Sequence, residues 1–565
     1  MDYPLNPLYA SRRSPVMAKN IAATSHPLAT AAALQIMQQG GNALDGALAS
    51  AITLTVVEPT GNGLGSDAFC ILWDGKQLHG LNASGRSPGA WTPERFADHS
   101  TMPYHGWESV TVPGAVSAWV ELSDKFGKLP FAELFKPAIN YARNGFLVTP
   151  VIAEQWQQAV EEFQDQPGFR QAFMPNGEAP RARQIFQSEE FACSLEKIAQ
   201  TKGEAFYRGE LATAIVDFAE KNGAALSMKD MADHTNEWCG TISQSIGGAE
   251  LHEIPPNGQG IAALMALGIL RNTEIADLHP DSLEALHLQI EAMKLAFMDV
   301  ETFVSDPDSM VDVRTTHLLE DDYLAARAKL IDQNRATLFP VGAPKDGGTV
   351  CLATGDDQGM MVSYIQSNYS GFGSGVVVPG TAISLQNRGA GFTLKEGHPN
   401  QVGPNKRPFH TIIPGMIMQD GEPRIAFGLM GGPIQAQGHL QMMLRTQIWG
   451  QDPQTAADAP RWRVVDGLDV AIEKGIDPAI VDGLKRLGHN AFFKTADNSF
   501  GFGGAQLVKR VDGCYLPGFY PRIDGHAGVF SRPHNVKLAL AHSATSSFIA
   551  KANLAPEDSL QGVHP

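Results

Sequence analysis

Residues 338–367 read LFPVGAPKDGGTVCLATGDDQGMMVSYIQS, and the chain changes character across them. The first eleven are rich in Pro, Gly and Asp and read as an exposed linker. The rest is two β-type runs around Gly355-Asp356-Asp357-Gln358-Gly359, a hairpin signal. Upstream of the linker the periodicity is mostly helical. It predicts helices over 27–37 (ended by Gly40-Gly41) and 43–57, amphipathic helices through 113–225, and further helices over 260–270 and 283–303. One strand, Ala68–Trp73, interrupts them ahead of the turn Asp74-Gly75. Downstream, hairpins repeat around Gln419-Asp420-Gly421 and Asp512-Gly513. Helices before 338 and strands after 348 predict an α+β fold in which helices cover stacked sheets, since each element must bury its apolar face.

The junction itself can carry chemistry. In Gly347-Gly348-Thr349-Val350 a turn meets a strand whose first residue bears a hydroxyl. An internal threonine is a poor nucleophile because it lacks an adjacent base. Were the Gly348–Thr349 bond cut, the freed α-amine, with a pKa near 8, would stand beside the hydroxyl and serve as that base. Gly348 would permit the strained backbone that an N→O acyl shift needs. On the tetrapeptide alone, a strand that begins with Thr after a turn is the commoner reading. Two more stretches share this double reading. Ser367 and Asn368 precede the Gly-rich loop Tyr369–Gly375, where backbone and substrate can approach closely. Gly428-Leu429-Met430-Gly431-Gly432-Pro433 sets two glycines together, able to present two N–H groups to an oxyanion. No Lys-[Ser/Thr] follows, so it is not a phosphate loop.

Composition narrows the classes. The 565 residues carry 43 Lys+Arg against 60 Asp+Glu, a formal charge of −17. That balance speaks against a nucleic-acid or anionic-membrane partner. Five scattered cysteines with no CxxC pair suggest neither a disulfide framework nor structural zinc, and no nucleotide or metal motif calls for a cofactor. No apolar run reaches the ~18–20 residues of a membrane span, and the N-terminal residues lack a secretory apolar region, so the expectation is a cytoplasmic protein. Length alone suggests three or four domains of ~150 residues.

Taken together the stations resemble the γ-glutamyltransferase (glutathione hydrolase) family of N-terminal-nucleophile hydrolases. Gly40-Gly41-Asn42-Ala43-Leu44-Asp45, Pro113-Gly114-Ala115-Val116, Asn257-Gly258-Gln259-Gly260, Gly403-Pro404-Asn405-Lys406-Arg407-Pro408, Ala459-Pro460-Arg461 and Glu473-Lys474-Gly475 all match, in order with the GGT and GFGSG stretches. The resemblance implies a four-layer αββα sandwich woven from two self-cleaved pieces, 1–348 and 349–565, held together as one interlaced domain. It also implies Thr349 as nucleophile, Gly348–Thr349 as the scissile bond, Gly431 and Gly432 as the oxyanion hole, and Ser367 as a second hydroxyl bonded to the nucleophile. The substrate would be a small-molecule amide, and the acyl group would pass to water or an amine. A homodimer or a heterotetramer of the cleaved pieces is left open.

Departures from the glutathione-cleaving pattern concern the acyl pocket. Where those members hold the substrate ammonium with an acid in Asn-Gln-Met-Asp-Asp-Phe, this chain has Asn387-Arg388-Gly389-Ala390-Gly391-Phe392. The acid becomes Gly391, and Arg388 adds a positive charge. The paired serines become His410-Thr411. The carboxylate-clamping arginine is displaced to Arg86, which either reaches the pocket or lies at the surface. Arg522, in Tyr520-Pro521-Arg522, is a further candidate anion contact. The resemblance therefore points to substrate-binding roles for Asn387, Arg388, His410, Thr411, Arg86 and Arg522, and to the acylase-like branch (cephalosporin/glutaryl-acylase-like or oxamate-type amidohydrolases) against a glutathione hydrolase or transpeptidase. His410 also fits a structural histidine, and His26 and Asp67 read as packing and capping residues. An inactive binding protein on the same fold is the reading from another class.

Overall fold

The computed structural model describes residues 16–311, 313–339, 348–494, 500–520 and 523–531. The predicted helices form as Pro27–Gln38, Ala43–Val57, Gly260–Leu270 and Leu283–Phe303, and the three downstream hairpins form at the predicted turns. Local chemistry sets the ends. His26 caps the first helix, its Nδ1 accepting from Leu28 N, with Pro27 at the first helical position. Asn42 and Asp45 close a reciprocal capping box on the second. Every residue of Ala43–Val57 and of Gly260–Leu270 is buried. Helices apolar all round must be interior, and their small residues (Ala, Gly, Ser and Thr in Ala43–Val57) let neighbours approach.

The strands form two main antiparallel sheets. The first has the order His526–Phe530, Asn20–Thr24, Gly348–Gly355, Met361–Tyr369, Asp67–Trp73, Leu78–Ala83, Glu237–Trp238. The second runs Cys514–Phe519, Ala505–Val511, Glu422–Leu429, Pro414–Gln419, Ala249–Glu253, Ile242–Ile246. Side-chain alternation sorts the core. Phe69, Ile71, Cys351, Ala353 and Ile365 of the first sheet share one apolar cluster with Met416, Ala426 and Val508 of the second. The alternate residues Cys70, Leu72, Val350, Leu352 and Val362 pack with Ala43–Val57 and Ala115–Phe126. Leu251, Ile417, Phe427 and Leu507 pack with Gly260–Leu270 and Leu283–Phe303.

Both sheets mix strands from before and after the linker, so the described residues fall within one compact unit and the length-based expectation of several domains does not hold. Thr349 is the second residue of the strand Gly348–Gly355, the third of the first sheet, with the parity of Cys351 and Ala353, and thus faces the space between the sheets.

Glu58, which ends the helix Ala43–Val57, gives this region a pH response. It is 3% exposed and accepts from Ser25 Oγ at 2.6 Å. Burial pushes its carboxyl up to about 8, opposed by the Ser25 hydroxyl and reinforced by Asp524. The folded chain therefore holds a proton that the unfolded chain has released between its ordinary range and pH 8, so stability falls as pH rises through that window. Glu58→Gln removes the titration. Its melting temperature should match or fall below wild type at pH 5 and exceed it at pH 9, by about 2 kcal/mol in stability. Equal differences at the two pH values would refute this origin.

Candidate active site

The strand Met361–Tyr369 pairs regularly with Gly348–Gly355 up to Gln366 opposite Val350. It then bulges, so that Ser367 and Asn368 face Thr349 and Tyr369 faces Gly348. Bulges re-aim side chains, and this one does so at the predicted scissile bond. Tyr369 takes a left-handed φ of 83° beyond it. Thr349 is 1% exposed. Its Oγ1 donates to Ser367 Oγ at 3.3 Å and accepts from Gln435 Nε2 at 3.3 Å. Ser367 Oγ also accepts from Tyr369 N at 2.7 Å. The amide orientation of Gln435 follows from its other end, because Oε1 accepts from Ile413 N at 3.1 Å. A hydroxyl has one proton and two lone pairs, so this pattern leaves one lone pair of Thr349 for attack.

The loop Glu58–Gly65 backs the nucleophile. A Cβ on Gly61 would stand 3.5 Å from both the N and O of Thr349. Asn368 fastens this loop to the far wall: its N donates to Gly61 O, its Oδ1 accepts from Ser66 Oγ, and its O accepts from Asn387 N. The two glycines predicted for the oxyanion hole follow the strand Glu422–Leu429, with φ of 115° at Gly431 and 67° at Gly432. Gly432 O accepts from Gln435 N at 3.1 Å and from Gln259 Nε2 at 2.9 Å, which fixes the turn one residue pair away from the side chain that touches Thr349.

The predicted acyl-pocket residues converge from the other side. Asn387 is fully buried, accepting from Ser370 N at 3.1 Å and donating to Tyr104 O at 2.9 Å. Arg388, 1% exposed, donates through Nη1 to Thr411 Oγ1 at 2.9 Å, and its guanidinium lies 4.9 Å from the centre of the Tyr369 ring. His410 Nδ1 accepts from Ile412 N, so Nε2 carries the proton and donates to Asp67 Oδ2 at 3.1 Å. Asp67 Oδ1 accepts from the amides of Gly114 and Gly85. Burial pushes Asp67 up to about 7, opposed first by Arg388. Burial and then Arg388 drive His410 well down, keeping it neutral. Arg388 is lowered by burial to about 10 and stays charged at neutral pH.

Thr349, Ser367, Gly431, Gly432, Asn387, Arg388, His410 and Thr411 thus form one connected group. Arg86 does not join it by any contact among the described residues. It is bonded to Asp306 Oδ2 at 2.9 Å and Asn405 O at 3.0 Å, and its side chain is 38% exposed. It is paired with the buried acid Asp306 while its own side chain stays part exposed, so the surface alternative is the one the geometry favours. Arg522 lies outside the described residues. Asp67, read as a packing or capping residue, does receive the amide of Gly114 at the start of Ala115–Phe126, and it is in addition the cross-strand partner of Ser367 and the hydrogen-bond partner of His410. Gln435 was missed altogether. Its signal was available as a glutamine in the first turn of a helix, Ile434–Met443, whose residues are all buried. A buried amide needs partners.

Among the described residues one group could offer ligand atoms to a metal: His287, Glu291 and His489. Lys294 already pairs with Glu291, and His287 Nδ1 is 2.9 Å from His489 Nε2, so these donors are engaged with one another. No helix of the described residues is long and apolar enough to cross a membrane.

Comparison with known proteins identifies relatives over most of the chain. The family model for Gamma-glutamyltranspeptidase matches residues 29–530. The glutathione hydrolase-like YwrD proenzyme of Bacillus subtilis is 35% identical over 455 residues, covering 80% of this chain and 86% of that protein. The oxamate amidohydrolase proenzyme of Klebsiella pneumoniae is 33% identical over 529 residues, covering 91% and 99%. The crystal structure of a cephalosporin acylase from Bacillus halodurans is similar over 94% of this chain and 99% of its own, with 44% identity and a TM-score of 0.89.

Proposed function

We propose, from the premise that the chain belongs to the gamma-glutamyltranspeptidase family of self-processing amidohydrolases, that it opens its own Gly348–Thr349 bond and then hydrolyses small amides through an acyl group carried on Thr349. The two sheets and the helices covering them are read as the four layers, αββα, of an N-terminal-nucleophile hydrolase, with residues 1–348 and 349–565 as the large and small pieces of one interlaced domain.

In processing, Thr349 Oγ1 attacks the carbonyl carbon of Gly348. The C–N bond breaks, the nitrogen takes up a proton, and an ester joins Gly348 to Oγ1. Water then cleaves that ester, leaving a Gly348 carboxylate and a free Thr349 amine. In turnover this amine accepts the Oγ1 proton as the hydroxyl attacks the substrate carbonyl. The Gly431 and Gly432 amides receive the negative charge that develops on the carbonyl oxygen. The protonated amine returns its proton to the leaving nitrogen, and a water repeats the sequence to release the acid. Ser367 and Gln435 hold Oγ1 in line throughout. Asn387, Arg388, His410 and Thr411 bind the acyl group.

A single observation carries this reading: a buried threonine hydroxyl, one residue into the strand Gly348–Gly355, is gripped by one acceptor and one donor with a lone pair left over. The relatives supply the acyl candidates, which are those of glutathione hydrolases, oxamate amidohydrolases and cephalosporin acylases. The pocket's arginine weighs toward the last two. Rapid quenching during turnover of a chromogenic amide, followed by peptide mass spectrometry, should find the acyl mass on the peptide that begins at Thr349. Turnover with acylation at another residue would contradict the mechanism.

A further inference from the structure

Behind the second sheet a buried acid meets a buried imidazole, and the mechanism above uses neither. Glu253 ends the strand Ala249–Glu253, His439 lies on the helix Ile434–Met443, and neither side chain has any solvent exposure. His439 Nδ1 donates to Glu253 Oε1 at 2.6 Å. Burial pushes the Glu253 carboxyl up, and His439 opposes it. The space is cut to the imidazole. The Phe427 ring lies 4.6 Å from it, and a Cβ on Gly415 would fall 3.0 Å from His439 Cε1. Apolar side chains of like volume often replace a buried ionic pair without loss of stability. A hydrogen bond adds what they lack, a fixed distance and direction between two elements.

Both of those elements lead to the turn that carries Gly431 and Gly432. One turn before His439, on the same helix face, stands Gln435. Its Nε2 donates to Thr349 Oγ1 at 3.3 Å and its N donates to Gly432 O at 3.1 Å. Glu253 leads the other way. Its side chain lies against Gly260, where a Cβ would fall 2.8 Å from Glu253 Cβ and 3.0 Å from Oε2. Gly260 opens the helix Gly260–Leu270, whose positive end favours the carboxylate. The residue before it, Gln259, donates through Nε2 to the same Gly432 O at 2.9 Å. The contacts therefore close a ring through Gly432, Gln435, His439, Glu253 and Gln259. The Glu253–His439 bond ties its two limbs together away from the turn.

Resting on the hydrolase reading above, we infer that Glu253 and His439 are a positioning pair. Their bond holds the Gly431 and Gly432 amides and the Gln435 side chain in register with Thr349, acting through Gln259 and Gln435. Support of this kind is worth a great deal: a displacement of about 1 Å set up far from the chemistry can cost on the order of 10²-fold in rate. The groups it supports serve the charge that develops during attack. Its loss therefore falls on kcat and on self-cleavage more than on KM.

The test measures the self-cleavage rate, and kcat and KM on whichever 4-nitroanilide, glutaryl or γ-glutamyl, the wild type turns over faster. Glu253→Gln keeps an oxygen that accepts from His439 Nδ1, so both rates should stay within about 3-fold of wild type. Glu253→Leu and His439→Leu break the bond and should each lower both rates roughly 100-fold, with KM within about 3-fold. Glu253→Leu/His439→Leu should be no slower than either single variant, because the pair acts as one unit. Wild-type rates in the Leu variants, equal losses in Glu253→Gln and Glu253→Leu, or a change confined to KM would each overturn the pair. Should the Leu variants fail to fold, Glu253→Asp decides. It keeps the charge but draws the oxygen back by one methylene, and it should slow both rates about 10-fold, whereas wild-type rates overturn the pair. A wild type that neither cuts itself nor turns over an amide refutes the hydrolase and leaves the pair to the crystal structure of Glu253→Leu. There the pair stands if Gln435 Nε2 withdraws beyond about 3.5 Å from Thr349 Oγ1, and falls if that bond is unchanged.

Discussion

Thr349→Ala should leave the chain as a single 60.7 kDa polypeptide and lower amide turnover on the order of 10⁵-fold. The size of the effect comes from a double role. In the proposed mechanism the same Oγ1 attacks Gly348 to mature the protein and attacks the substrate afterwards, so one deletion removes both steps. The Gly431/Gly432 amides and the acyl pocket remain, which is why binding should outlast turnover. Thr349→Ser keeps the hydroxyl and the bonds to Ser367 and Gln435 and should still process, more slowly, because serine lacks the methyl that fixes χ1. Processing gels and kcat for the two variants check this. A Thr349→Ala protein that matures and turns over at wild-type rates removes Thr349 from the mechanism.

The largest structural effect is expected far along the chain from the nucleophile. Lys294 and Glu291 face each other with no solvent exposure. Both grip the backbone of Thr337, Lys294 Nζ donating to its O at 2.7 Å and Glu291 Oε2 accepting from its N at 3.1 Å. Deleting one member leaves the other charge buried without a partner, so Lys294→Met should destabilise by about 3–5 kcal/mol. Glu291→Leu/Lys294→Met should recover most of that, less about 1 kcal/mol for each Thr337 group left unbonded. The single variant also has a pH signature. Burial, then Lys294 and His287, hold His489 down to about 3, and its Nε2 lies 3.9 Å from Glu291 Oε1. Removing Lys294 lets His489 take a proton and pair with Glu291 in acid, so the loss should shrink from pH 8 to pH 5. Denaturant midpoints at both pH values measure it, and a loss independent of pH would contradict this arrangement.

Much of the fold could be read from the sequence because its signals are local. Ala43–Val57 announces itself through periodicity and the Asn42/Asp45 cap, and the hairpin at Gly355–Gly359 through its turn residues. Thr349 could be singled out because it stands where a linker meets a strand. Asp67 could not, because its role arises only when Met361–Tyr369 lies beside Asp67–Trp73 in the register that sets Ser367 opposite it. Gln435 reaches Thr349 across 86 residues of sequence, from a helix packed behind the second sheet. Arg86 shows the converse limit. Its position two residues from the expected arginine suggested a pocket role, but Asp306, which captures it, is 220 residues away. The domain estimate failed for a related reason. Length counts residues per core, whereas here each sheet takes strands from both sides of the linker.

Intact mass spectrometry with N-terminal sequencing of freshly purified protein tests the central claim most directly. The account predicts two co-purifying polypeptides of about 37 and about 23 kDa, the shares of the chain on either side of the Gly348–Thr349 bond, with the smaller beginning Thr349-Val350-Cys351. A fully active protein that remains one uncut chain, or a small piece beginning at any other residue, would contradict it.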